Sequence, residues 1–114
     1  MIRTLGAAVA SAVALSLAGA ALAQAPAGAK GDADRAKTKI SMCQGCHGIP
    51  LFRTAYPDVY SVPLIAGQTP EYIVKALEAY KSGERNHPSM RAIARSLSAE
   101  DMADVAAYYG REKQ

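Results

Sequence analysis

Five consecutive residues, Cys43-Gln44-Gly45-Cys46-His47, bring together the reactive side-chain types of this chain. Two thiols at this spacing on a helix end reach the two vinyl groups of one haem, and the adjoining imidazole then faces the iron from one side. The Cys-x-x-Cys-His pattern reads as covalent attachment of a c-type haem. Three other chemistries use the same residue types. A structural zinc site takes four ligands, and beyond Cys43, Cys46 and His47 the sequence offers the distant His87. A thioredoxin-like dithiol needs a βαβ context, and no strand is predicted ahead of the motif. In an oxidising compartment two cysteines form a disulfide by default. The histidine directly after Cys46 is what favours haem over all three.

With His47 on one face of the iron, the other face draws on Met42, Met90, Met102 or His87. Met42 adjoins Cys43 on the attachment helix and cannot reach across the ring. Met102 lies in an apolar helical stripe, where methionine is ordinarily core filler. Met90 follows His87-Pro88-Ser89 in an irregular stretch able to wrap over a haem face, and it is the favoured ligand. A neutral, soft thioether opposite histidine favours ferrous iron and raises the potential. His87 is the alternative, giving a bis-His site of lower potential, or else it is a surface-loop histidine. Ligating histidines usually donate their second ring nitrogen to a carbonyl. The turn Ser61-Val62-Pro63-Leu64-Ile65-Ala66-Gly67 could offer the Pro63 carbonyl to His47, although by itself that proline indicates only a rigid turn.

The elements that must position these residues fit one domain, since 114 residues leave no room for two cores. Residues 1–23 read as a cleaved secretory signal peptide: Met1-Ile2-Arg3 gives a basic start, Leu5 to Leu22 is apolar and small, and Ala21-Leu22-Ala23 is a cleavage triplet. The alternative is an uncleaved membrane anchor, against which stands the alanine-rich character of the run. Residues 24–30 read as a flexible lead-in, leaving 31–114 as the folded domain without a membrane span after cleavage. Thirteen Lys and Arg against ten Asp and Glu give a formal charge of +3, too mild and too dispersed to argue for nucleic acid. One Phe and no Trp make a thin core that needs a staple or cofactor to supplement it.

The predicted class is all-α, a small domain of about four helices wrapped around one covalently attached haem. The first helix spans about Asp32 to Cys43, with Ala33, Ala36, Ile40 and Cys43 at helical spacing. From His47 to Gly67 the chain reads as loop, punctuated by glycines and prolines. Thr69 suits an N-cap, Pro70 the first helical position and Gly83 the exit of a helix with an Ile73, Val74, Leu77 and Tyr80 stripe. A loop from Glu84 to Ser89 leads to a short helix at about Met90 to Ser96. Ser98-Ala99-Glu100-Asp101 resembles a capping box for a last helix that carries Met102, Val105, Ala106 and Tyr109 and stops at Gly110.

Four pieces of sequence in this order resemble the class I cytochromes c, and within them the branch of dihaem cytochrome c-four and its single-haem periplasmic relatives. They are Cys43-Gln44-Gly45-Cys46-His47-Gly48, Pro63-Leu64-Ile65-Ala66-Gly67-Gln68, the run from Tyr80 to Met90, and the run from Leu97 to Tyr109. The resemblance extends from about Gly31 to Gly110. It implies one covalent haem c with thioethers at Cys43 and Cys46, His47 and Met90 as axial ligands, and the Pro63 carbonyl orienting His47. It also implies the first helix packed across the last, with Ala36 at the close approach and Tyr108 as the last helix's aromatic residue. The implied function is a periplasmic one-electron carrier rather than an enzyme. Its partners would be redox proteins: a dehydrogenase, a terminal oxidase or another cytochrome. A cytochrome subunit of a periplasmic dehydrogenase is the alternative.

The chain departs from that branch in two ways. It has one attachment motif where cytochrome c-four proteins have two haem domains. Its 49–60 loop is also rich in aromatics, with Phe52, Tyr56 and Tyr60. These either cover the haem, the favoured reading, or form a docking surface. Lys39, Lys81 and Arg85 are candidate docking cations, with ordinary solvated surface as the plainer role.

Overall fold

The computed structural model describes residues 30–56 and 60–111. The expected signal peptide and nearly all of the lead-in lie outside the described residues. Five helices follow in chain order: α1 (Ala33–Ala36), α2 (Ser41–His47), α3 (Pro70–Ser82), α4 (Pro88–Ser96) and α5 (Ala99–Arg111). No strand occurs among the described residues.

The fifth helix arises because the segment predicted as one helix over 32–43 divides in two. The Asp32 carboxylate caps α1, accepting from the N–H groups of Asp34 at 2.8 Å and Arg35 at 3.4 Å. The next N–H groups bond three residues back rather than four: Lys37 to Asp34, Thr38 to Arg35 and Lys39 to Ala36, at 3.3, 3.4 and 2.8 Å. The Thr38 hydroxyl donates to the same Arg35 carbonyl at 3.0 Å. A threonine bonded to the turn before it offers the backbone an alternative to the regular helical ladder. Helix α2 then starts afresh and carries the whole Cys-x-x-Cys-His motif through to His47.

Helix α1 packs across α5, and α3 packs on α5 and α4. Ala36 is 0% exposed in that crossing, joined in the core by Ala33, Ile40, Met102, Val105, Ala106 and Tyr109. Just before α1, a Cβ on Gly31 would lie 1.8 Å from the Ala103 carbonyl oxygen, so the crossing admits no side chain there. Ile73 and Leu77 bring α3 into the same cluster, and Ala94 and Leu97 complete it from α4 and its exit.

The helix ends follow their sequence signals with three differences. Pro70 opens α3 and Gly83, at φ 91°, closes it, but the Thr69 hydroxyl makes no capping bond. Its N–H instead donates to the Gln68 side-chain carbonyl at 3.0 Å. Helix α4 starts at Pro88, two residues before the expected Met90, because a proline in the first helical position forfeits no intrahelical bond. Helix α5 opens on the reciprocal pair Ser98 and Asp101, with Asp101 N–H to the Ser98 hydroxyl at 3.1 Å and Ser98 N–H to the Asp101 carboxylate at 2.9 Å. It passes through Gly110 to Arg111. Gly110 serves contact rather than termination: a Cβ there would meet the Pro70 ring at 2.7 Å.

One buried charge stands among these apolar contacts. Asp104, 1% exposed, accepts both a two-pronged bond from Arg35 (2.9 and 2.8 Å) and the Asp32 N–H at 2.7 Å. The Arg35 guanidinium, with the Asp32 amide, holds this carboxyl below the ordinary aspartate range. The chain entering α1 is thereby fastened to the middle of α5.

Candidate functional site

Helix α2 presents Cys43, Cys46 and His47, each half-buried. Cys43 packs against the core cluster, and burial pushes its thiol pKa up. Cys46 lines a cavity. Both are free thiols. Among the described residues no three His, Cys, Asp or Glu side chains converge as a metal site.

The Nδ1 atom of His47 lies 2.6 Å from the Pro63 carbonyl oxygen. A carbonyl only accepts, so the ring proton sits on Nδ1 and the Nε2 lone pair is left free for a metal. The turn bearing Pro63 is itself tied down, since the Gly67 N–H donates to the Tyr109 carbonyl of α5 at 2.8 Å.

The cavity beside His47 measures about 360 Å³, within the range of cofactor sites (roughly 300–1,000 Å³). Its walls are mostly apolar. Val62, Leu64 and Ile65 come from the loop, Tyr72, Ile73, Ala76, Leu77 and Tyr80 from α3, and Met90 from α4. Of the four candidates for the second ligand, Met90 and His87 line this cavity. Met42 is 41% exposed on α2 and Met102 is buried in the core. The His87 Nδ1 accepts the backbone N–H of Met90 at 3.4 Å. That bond engages the His87 Nδ1 with the backbone of α4.

Several wall residues fell outside the sequence reading. Tyr72 and Ala76 widen the apolar face of α3 beyond the expected stripe, and a stripe broader than a single core contact needs was their signal. Arg85 lines the cavity with its guanidinium over the Tyr80 ring, 4.7 Å from the centroid. The other two candidate docking cations are also engaged, Lys39 with the Asp101 carboxylate and Lys81 with the Leu97 carbonyl. Within the aromatic loop Tyr60 lines the cavity, Phe52 is half-buried and Tyr56 stands 78% exposed. Gln44 reaches the Tyr108 hydroxyl at 3.4 Å, and the Tyr108 and Tyr109 rings meet edge to face at 5.2 Å.

Comparison with known proteins decides the family. Over 86 residues the chain is 37% identical to cytochrome c-554(548) of Halomonas halodenitrificans, which covers 73% of the chain and 99% of that protein. The chain belongs to the class I c-type cytochromes. Cytochrome c4 of Pseudomonas aeruginosa is 34% identical over 85 residues, 75% of this chain but 40% of its own length. The cytochrome subunit of sulfide dehydrogenase from Chlorobaculum tepidum is 34% identical over 68 residues, 60% of this chain and 57% of its own length. This cytochrome thus spans nearly all of the first relative and about two-fifths of the second. No family model matches it.

The residues of this c-type cytochrome fit its family's covalent haem c. Two free thiols sit on one short helix, a histidine with a free Nε2 follows them, and an apolar cavity of cofactor size opens beside that ring. Cytochromes of this family transfer electrons, and the cysteine pair that binds their haem is present here.

Proposed function

We propose that this cytochrome is a periplasmic carrier of single electrons, working by outer-sphere transfer at one haem held through Cys43 and Cys46 and ligated by His47 and Met90. The observation that carries the reading is that His47, its Nε2 lone pair free, and Met90 line the same apolar cavity. The signal-like residues 1–23 support export. Among the described residues no helix is long and apolar enough to cross a membrane.

The haem supplies an iron that alternates between ferric and ferrous states. The protein's residues do the rest. Cys43 and Cys46 would hold the haem on α2 through thioether bonds. The Pro63 carbonyl accepts a hydrogen bond from the Nδ1–H of His47, which orients the imidazole. Met90, from α4, would supply a second iron ligand beside that of His47, and this reading gives no residue a catalytic role. The apolar wall of α3 excludes water and favours the less charged ferrous state.

A second reading, a cytochrome subunit of a dehydrogenase, is favoured by the likeness to the sulfide dehydrogenase subunit. Co-purification of a flavoprotein would support it, and a monodisperse monomer would favour a free shuttle. For the site itself, mass spectrometry of periplasmic material is expected to give the polypeptide plus one porphyrin. Met90→Ala is expected to abolish the thioether-to-iron charge-transfer band. Its reduction potential should fall by a sizeable fraction of the roughly 0.8 V that axial ligands span. A band that survives the substitution would exclude Met90.

A further inference from the structure

Helix α4 begins in an unusual way. Its N-cap is His87, a residue outside the usual Ser, Thr, Asp and Asn set. Pro88 in the first helical position has no N–H to satisfy, and the Arg91 N–H already bonds the His87 carbonyl at 2.9 Å. Of the donors between them, the Met90 N–H is taken by the His87 ring at 3.4 Å. Pro88 helps to enforce this geometry. A residue before proline is pushed into the extended region, and His87 sits there at φ −139° and ψ 113°, the backbone an N-cap needs.

We infer that His87 is a positioning residue: its ring caps α4 on the backbone of Met90 and so holds that methionine at the cavity wall. The inference rests on the proposed ligation by Met90 and adds to it. The far end of α4 is held independently, by Lys81 of α3 donating to the Leu97 carbonyl. Between the two anchors, Met90 stands in the first turn, where the His87 cap is the nearer restraint. The same bond assigns the ring its role, because a nitrogen that accepts from Met90 is not available to the iron. The His-Pro pair therefore supports the ligand rather than competing with it.

The test uses the haem-loaded protein and two variants of opposite design. His87→Leu keeps apolar bulk and loses the acceptor, while His87→Asn keeps an acceptor. Two quantities are read: hydrogen exchange of the Met90 amide in the ferrous protein, and the affinity of the ferric protein for added imidazole. In His87→Leu, exchange should quicken about fivefold and imidazole should bind about fivefold more tightly, the change a lost N-cap of ordinary strength produces. In His87→Asn both should stay within about twofold of wild type. An unaltered His87→Leu, or a His87→Asn that matches it, would overturn the inference. The charge-transfer band of the unsubstituted protein separates the two layers. If that band is absent while the Met90 amide still responds to His87→Leu, the ligation reading has failed, and a positioning role for His87 fails with it.

Discussion

From Ser41 to Thr69 no described residue is buried, whereas Ala33 to Ile40 and Ile73 to Tyr109 supply the buried core. The second region holds itself together, with α1 and α3 sharing α5 as a common support. The first is held by scattered backbone bonds, such as Val62 N–H to the Phe52 carbonyl at 2.7 Å and Gly67 N–H to Tyr109 at 2.8 Å. Of its apolar side chains, Val62, Leu64 and Ile65 line the cavity. A domain with so few large side chains cannot build two protein cores. From this contrast we expect the first region to depend on haem for its order, while the second holds together without it.

Removing both attachment points should divide the halves most sharply. In Cys43→Ser/Cys46→Ser the porphyrin mass should vanish, and amide exchange over 41–69 should become fast while α3 and α5 keep partial protection. Uniform loss of protection across all five helices would instead mean that the α1–α3–α5 core depends on haem too.

A smaller effect is expected within the self-supporting half. Gly31→Ala drives a methyl group into the Ala103 backbone, which cannot swing aside as a side chain can. A cost of about 3 kcal/mol, or a Tm lower by roughly 10–20 °C, should follow in the haem-loaded protein, with its visible spectrum unchanged. An altered spectrum would mean that the α1–α5 crossing governs the haem half directly.

Asp104→Asn should cost less, about 2 kcal/mol near neutral pH, because the Arg35 partner is half in water while the Asp32 amide loses a charged acceptor. The direction with pH is fixed by the depressed carboxyl. Its contribution is complete above the unfolded aspartate value of about 3.9 and is lost as pH falls through the lower folded value. Thermal melts from pH 6 downward should therefore converge for variant and wild type in acid. A gap that persists at low pH would assign the effect to shape rather than charge.

Much of the self-supporting half was legible because its signals are local. Met102, Val105, Ala106 and Tyr109 recur at helical spacing, Gly83 marks an exit, and Ser98 with Asp101 marks an entry. The family resemblance implied the α1–α5 crossing, and Ala36 is buried in it. What escaped depends on distant partners. Asp104 reads as a solvated charge until Arg35, far away in sequence, is brought against it. The break after Ala36 turns on one threonine hydroxyl, and the early start of α4 on a proline that also fits a loop. In the cavity half, Cys43, Cys46 and His47 stood out as a motif. Tyr72 and Ala76, which line the same cavity from α3 of the self-supporting half, did not, since nothing in their spacing distinguishes a wall for a ligand from a wall for another helix.

The bond from Gly67 to the last turn of α5 reaches further than a loop tether. Through it the imidazole ring takes its bearing from the buried core: Tyr109 holds Gly67, the short turn carries Pro63, and Pro63 holds the ring. An electron carrier works best when its surroundings need to shift little between oxidation states. A preorganised ring referenced to a packed helix meets that requirement.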